Sequence, residues 1–264
     1  MSHSFFLTLP THETFTALMA DQRFWFAVGI AALSGVVRGF SGFGSALIYV
    51  PLMASLFGPR IAAGTLLLID FVSGVPFAIS ARKTCEWRDV TPLAIMAAIG
   101  VPFGTYLLLF ADPIVLRWLI AVLVLGLLVV LLSGWRYEGQ PTLGIKIAIG
   151  FVAGLGAGAV QVGGPAVIIY WLSSKSPPVV IRANLLVYFV LNGAALIVAY
   201  AVQGVLTPQV LAFALMLGPA FWISMVLGAR FFRGASDNTY RQVAYAIVAI
   251  AAVVSLPLFD GLYR

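Results

Sequence analysis

Two glycine-rich stretches interrupt long apolar runs: Gly39-Phe-Ser-Gly-Phe-Gly-Ser45 and Gly154-Leu-Gly-Ala-Gly-Ala-Val-Gln-Val-Gly-Gly-Pro165. The residues around them have the types needed to hold a charged solute. A helix that starts in mid-membrane aims unpaired N–H groups and a positive dipole end at whatever lies before it, which makes an anion site. Gly42, Phe43, Gly44 and Ser45 stand at the first such start, and Gly163 and Gly164 at the second, followed by Pro165 where no N–H is missed. Gln161 adds two amide donors beside the second start. Arg38 lies within an apolar run next to the first break. A buried arginine there costs about 2.5 kcal/mol or more, so it must face a polar cavity or a partner. Its planar fork suits a pair of oxyanion oxygens, and an ion pair with Asp70 is the competing reading. Glycine clusters also let helices pack closely in membranes, so a purely structural role competes with the binding one.

Asp70 lies in the middle of an apolar run. A carboxylate there is a candidate proton carrier, because burial favours its neutral form and a neighbouring cation its charged form. The alternative is a salt bridge that fixes helix register. Asn184 and Asn192 fall about 80° apart on one helix and are expected near the same cavity. Arg182 points elsewhere and can contact either solute or lipid headgroups. The two histidines, His3 and His12, lie in an N-terminal tail and are assigned no chemistry.

The elements that must position these groups are membrane helices. The chain has 264 residues, of which 62% are hydrophobic and 9% charged, and its mean hydropathy is +1.06. Runs of about 20 residues without a persistent polar face argue for crossing helices and against a barrel, whose strands alternate at period two. Ordinary spans are predicted at 60–81, 89–110, 113–133, 179–203, 208–229 and 237–257, while 24–57 and 143–174 are too long for one straight crossing. The glycine clusters predict that each folds into a hairpin of two half-helices. A proline inside a span (Pro51, Pro76, Pro102, Pro219) frees a carbonyl, so these positions are expected between helices.

The two halves resemble each other. Pro59-Arg-Ile-Ala-Ala-Gly-Thr-Leu aligns without gaps on Pro178-Val-Val-Ile-Arg-Ala-Asn-Leu, and the same offset sets Gly39 on Gly158 and Gly44 on Gly163. Thr65 and Ser73 are then the counterparts of Asn184 and Asn192, and Phe189 that of Asp70. If both broken segments return to the face they left, ten Lys/Arg collect on one face (Arg82, Lys83, Arg88, Arg136, Lys146, Lys175, Arg182, Arg230, Arg233, Arg241), against Arg23, Arg60, Arg117 and Arg264 on the other. That positive-inside bias sets both termini outside. The expected architecture is an all-α polytopic membrane protein of about eight hydrophobic segments. It has two inverted-topology repeats, each a re-entrant broken-helix hairpin plus three transmembrane helices: a tail at 1–23, one repeat at 24–134 and the other at 135–264, forming one transporter domain.

The net charge of +6 comes from basic residues scattered at segment ends, never a stripe with interleaved aromatics, so nucleic acid is not an expected partner. The single cysteine, Cys85, excludes an intramolecular disulfide, and no Cys/His cluster, P-loop or catalytic constellation is recognisable. No metal or cofactor is expected. The partners are a small anion and the lipid bilayer, and nothing in the sequence indicates a homodimer.

Arg38-Gly-Phe-Ser-Gly-Phe-Gly-Ser-Ala-Leu-Ile-Tyr-Val-Pro51 and Gln161-Val-Gly-Gly-Pro-Ala-Val-Ile-Ile-Tyr170 carry a resemblance to the TauE/SafE family of membrane transporters, and it extends over nearly all of the chain beyond residue 24. The first motif departs from the commoner Gly-Gly-Gly form, with Phe43 in the middle. The resemblance implies movement of sulfite, organosulfonates or related sulfur anions across the bacterial inner membrane. A secondary transporter working by alternating access, with Asp70 coupling a proton, is the expected function. An anion channel and a non-transporting binding or assembly protein are its rivals.

Overall fold

Helices start and stop where glycine and proline punctuate the sequence. In a computed structural model, residues 9–41, 44–133, 142–172, 174 and 176–231 are described. They form α1 (His12–Ala20), α2 (Gln22–Ser41), α3 (Ser45–Phe57), α4 (Pro59–Ala81), α5 (Trp87–Phe110), α6 (Pro113–Ser133), α7 (Leu143–Val160), α8 (Gly164–Leu172), α9 (Pro178–Val202) and α10 (Pro208–Phe231), with no strand among the described residues. Prolines open α4 and α9, where the missing N–H costs nothing. Among the described residues, five helices are long and apolar enough to cross a bilayer: Pro59–Ala81, Trp87–Phe110, Leu143–Val160, Val179–Val202 and Pro208–Gly228. The expected last span, 237–257, and Phe43 lie outside the described residues.

The faces of α5 show what surrounds it. Ile95, Ile99, Phe103, Tyr106 and Phe110 are exposed at three- and four-residue steps, while Leu93, Ala97, Val101 and Leu108 are fully buried on the opposite side. A helix that is apolar on its outward face as well is solvated by lipid.

Both long segments break where the glycines are, but into unequal arms. The first arms, α2 and α7, have 20 and 18 residues, about 30 and 27 Å, while α3 and α8 have 13 and 9, about 20 and 14 Å. The expected hairpins are therefore a long helix followed by a short one. Each short arm folds back. Arg23, at the start of α2, donates to the Leu56 carbonyl near the end of α3 (3.3 Å), and its guanidinium lies 5.2 Å from the Phe57 ring. Lys146, in the first turn of α7, pairs with Asp89, which also accepts from Trp171 near the end of α8. At Gly58, with φ +87°, the chain reverses between α3 and α4, bringing Tyr49 against Thr65.

Helix ends repeat at the offset that takes Pro59 to Pro178: Ser41 maps onto Val160, where α7 ends, and Ser45 onto Gly164, where α8 begins. The packing repeats too. α2 packs along α10, and their counterparts α7 and α5 pack along each other; α4 and α9, themselves counterparts, pair together. Directions follow from the glycine contacts. Gly150, Gly154 and Gly158 of α7 meet Leu93, Ala97 and Val101 of α5, so these two helices run parallel. Gly193 meets Phe71, and Gly74 meets Val190, so α9 runs against α4.

Glycines at these crossings are required by space. A Cβ at Gly154 would lie 2.1 Å from the Ala97 carbonyl oxygen, and one at Gly39 would lie 1.9 Å from that of Met225. Such small-residue seams let membrane helices approach closely when the hydrophobic effect does not drive them together. Of the prolines expected between helices, Pro51 is buried, but Pro76, Pro102 and Pro219 are exposed. The ring is apolar and can face lipid. The residues reserved for a tail include α1, whose Leu18 is buried and which packs on α2 and α10; His12 at its start is exposed.

Candidate functional site

Where the two breaks approach each other, α2, α3, α4, α7, α8 and α9 leave a cavity of about 100 Å³. The starts of both short helices reach it. Gly44, at φ +94°, caps α3 and lines the cavity with Ser45, while Gly163 and Gly164 line it at the start of α8. The turn at Gly163 is tight, since a Cβ there would fall 2.0 Å from the Ala153 carbonyl oxygen. The glycines of the second cluster thus divide their work. Gly154 and Gly158 seat α7 on α5, whereas Gly163 and Gly164 shape the cavity wall.

Arg38, from the last turn of α2, reaches into the cavity and meets Asp70 of α4. Its Nη2 donates to Asp70 Oδ2 at 2.9 Å, and its Nε lies 2.9 Å from Oδ1. The guanidinium is also 5.9 Å from the centre of the Phe189 ring, so the arginine spans Asp70 and the counterpart of Asp70 in the second half. Their side chains are 10% and 28% exposed, leaving the carboxylate the more accessible partner. The pair carries no net charge. Positive potential in the cavity must then come from the two helix starts, each equivalent to roughly half an elementary charge.

Gln161 closes α7 in the left-handed conformation, φ +59° and ψ +14°, the one non-glycine residue with positive φ among the described residues. A side chain held there against a cost of about 1–2 kcal/mol marks a place where the side chain matters. Its repeat counterpart is Gly42, which has no such cost. Gln161 lines the cavity with a buried Nε2 that makes no well-formed hydrogen bond among the described residues, although the Tyr200 hydroxyl, which donates to the Gly158 carbonyl, stands beside it. Asn192, 6% exposed, lines it as well, and its Oδ1 is buried and unpaired among the described residues. Two amides left unsatisfied beside two helix starts form a surface of donors and invertible amide groups without a partner of their own.

The structure thus brings together Arg38, Gly44, Ser45, Asp70, Gln161, Gly163, Gly164 and Asn192. Gly42 and Phe43 lie outside the described residues. Asn184 does not reach this cavity: two turns before Asn192 on α9, its Oδ1 accepts the Glu86 N–H at 2.8 Å and so holds the start of α5. Spacing on one helix put the two asparagines on one face but could not say how far along its axis the cavity extends. Arg182 is exposed and does not line the cavity either. Phe189 was missed as an arginine partner, although the repeat alignment already set it opposite Asp70.

A family model described as sulfite exporter TauE/SafE matches residues 27–255, which include every cavity residue named above. This chain belongs to the TauE/SafE family. A probable sulfite/organosulfonate exporter TauE from Cupriavidus necator is similar to it, 27% identical over 244 residues that cover 89% of this chain and 95% of that protein. No solved structure matches significantly. The chain is therefore a multi-pass membrane protein of a transporter family, with its TauE/SafE motifs gathered around one central cavity.

Proposed function

We propose that this TauE/SafE chain is a secondary transporter of the bacterial inner membrane that carries a small sulfur oxyanion or organosulfonate by alternating access. The observation that carries this reading is the convergence of two helix starts, Arg38 and two unpaired amides on one cavity. Two half-charges supply about one positive unit, a match for a monoanion. At about 100 Å³ the cavity is well below the roughly 300–1,000 Å³ of sites for drug-sized ligands, which favours a solute of a few heavy atoms. The named relative is a probable exporter of such compounds.

In this reading the halves are inverted repeats and the broken pairs re-enter. The antiparallel pairing of α4 with α9 supports the inversion, and the fold-back of α3 on α2 and of α8 on α7 supports re-entry. Among the described residues, Arg82, Lys83, Arg88, Lys146, Arg182 and Arg230 then fall at one end, and Arg23, Arg60 and Arg117 at the other, which supports a cytoplasmic 82–88 loop. Asp70 is the proposed proton site. Without a proton it holds Arg38; with one it releases the guanidinium to the anion, so anion and proton enter together. A thermal-shift screen of the purified protein with sulfite, thiosulfate, methanesulfonate, taurine and simple carboxylates tests the substrate class. Stabilisation by sulfite or sulfonates above carboxylates is expected; stabilisation by carboxylates alone would refute it.

A further inference from the structure

Asn192 is the inner end of a longer polar row. Asn184, Tyr188 and Asn192 recur every four residues on one face of α9, all at least 94% buried, and each carries a side-chain atom without a partner among the described residues: Asn184 Nδ2, Tyr188 Oη and Asn192 Oδ1. Eight residues of helix span about 12 Å. A row of unsatisfied buried donors and acceptors is costly in a membrane protein and calls for a ligand that visits it. Asn192 faces the central cavity; Asn184 meets Glu86 in the 82–88 loop.

The outer end of that row is shut. Asp89 accepts from Tyr170 Oη at 2.9 Å and from Trp171 Nε1 at 2.8 Å, and it pairs with Lys146 Nζ. Three elements, α5, α7 and α8, meet there. Rings connect the latch to the cavity: Tyr170, Trp171, Tyr188 and Phe189 follow one another edge to face at 5.7–5.8 Å, and Phe189 faces Arg38. At the corresponding place in the other half stand Ala27, Pro51, Leu52 and Pro208, which can form neither an ion pair nor a side-chain hydrogen bond. The other end is held instead by Arg23, which pairs with Asp21 and donates to the Leu56 carbonyl, so the carboxylate-centred latch stands at one end alone among the described residues.

We propose that the anion leaves or reaches the central cavity along this face of α9, with the Tyr188 hydroxyl and the Asn184 amide as its next hydrogen-bond donors, and that the Asp89 latch closes this route. Opening the latch also frees the Lys146 ammonium, which gives the outer end of the route a positive charge. The proposal rests on the anion-carrier reading above and deepens it, from a single cavity to a path with a second set of contacts.

Two measurements on the full chain test it separately from that reading. Tyr188→Phe removes a hydroxyl that bonds to none of the described residues, so folding and methanesulfonate binding by thermal shift are expected to match wild type. Its initial rate of methanesulfonate exchange in liposomes is expected to fall about tenfold or more, the effect of losing one hydrogen bond to a charged group. An exchange rate equal to wild type overturns the route. Independently of any anion, Cys85 is a native reporter of the latch: it is 9% exposed in the same buried cluster, and burial pushes its thiol up. Asp89→Asn is expected to speed its labelling by a membrane-impermeant methanethiosulfonate about tenfold, and Lys146→Gln to do likewise. Unchanged labelling in both variants overturns the latch. A wild type that moves no anion, with Cys85 still unmasked by Asp89→Asn, refutes the carrier reading and the route while supporting the latch.

Discussion

Arg38 and Asp70 neutralise each other, and that fixes what each substitution does. Asp70→Asn keeps the volume and removes the competitor for the guanidinium. It is expected to bind methanesulfonate, whose charge does not vary with pH, several-fold more tightly than wild type near neutrality. Titration calorimetry on the two proteins at one pH reads the difference. Equal affinities would remove Asp70 as a competitor for the Arg38 guanidinium. Arg38→Gln leaves a carboxylate without its cation and is expected to destabilise the fold by about 3 kcal/mol. The double variant Arg38→Gln/Asp70→Asn is expected to regain most of that stability without regaining anion binding. Gln161→Gly is a sharper case, because it relieves a left-handed backbone. Its melting temperature is expected to be equal or higher and its anion affinity about tenfold lower. The types of these residues were legible from sequence alone, since a charge or amide in an apolar run is conspicuous. The backbone angle at Gln161 was not, because only the reversal into α8 imposes it.

Among the helices, the glycine clusters have two functions that sequence spacing alone could not separate. Gly39, Gly154 and Gly158 are needed because a neighbouring backbone occupies the space of a Cβ, and partner helices distant in sequence make those contacts. Gly154→Ala is therefore expected to cost about 1–3 kcal/mol and to lower the melting temperature in detergent. Gly29→Ala, with no atom within 4 Å of the new Cβ, is expected to be neutral or stabilising. Equal losses for the two would contradict the seam. The helix boundaries were largely readable because proline and glycine mark them. The unequal arms were not, since apolar periodicity runs unbroken through α2 and α7 and gives no depth at which a hairpin turns. In a Cys85→Ser background, cysteines at Gln22 and Arg60 are expected to react with an impermeant maleimide from outside intact cells. Cysteines at Thr84 and Ser176 are expected to react only after permeabilisation. Labelling of Gln22→Cys and Arg60→Cys from opposite sides would show that α2 and α3 cross as one span.

For the molecule as a whole, the repeat relation links cavity and mechanism. Exchange of the halves converts the α2/α10 pair into α7/α5 and leaves α4/α9 in place; under the proposed inverted-repeat reading, a swap of conformations between halves moves the opening of the cavity from one face to the other. The halves are not equal in chemistry: Arg38 and Asp70 correspond to Ala157 and Phe189, and the latch residues Lys146, Tyr170, Trp171 and Asp89 to Ala27, Pro51, Leu52 and Pro208. A channel could share the cavity but not the exchange, because it has no closed, occupied state. Counterflow in proteoliposomes separates the two most directly. Vesicles loaded with unlabelled methanesulfonate and diluted into a trace of the labelled anion are expected to take it up transiently above its equilibrium level, at a rate raised by the anion inside. Uptake that never exceeds equilibrium and ignores the internal anion would contradict alternating access.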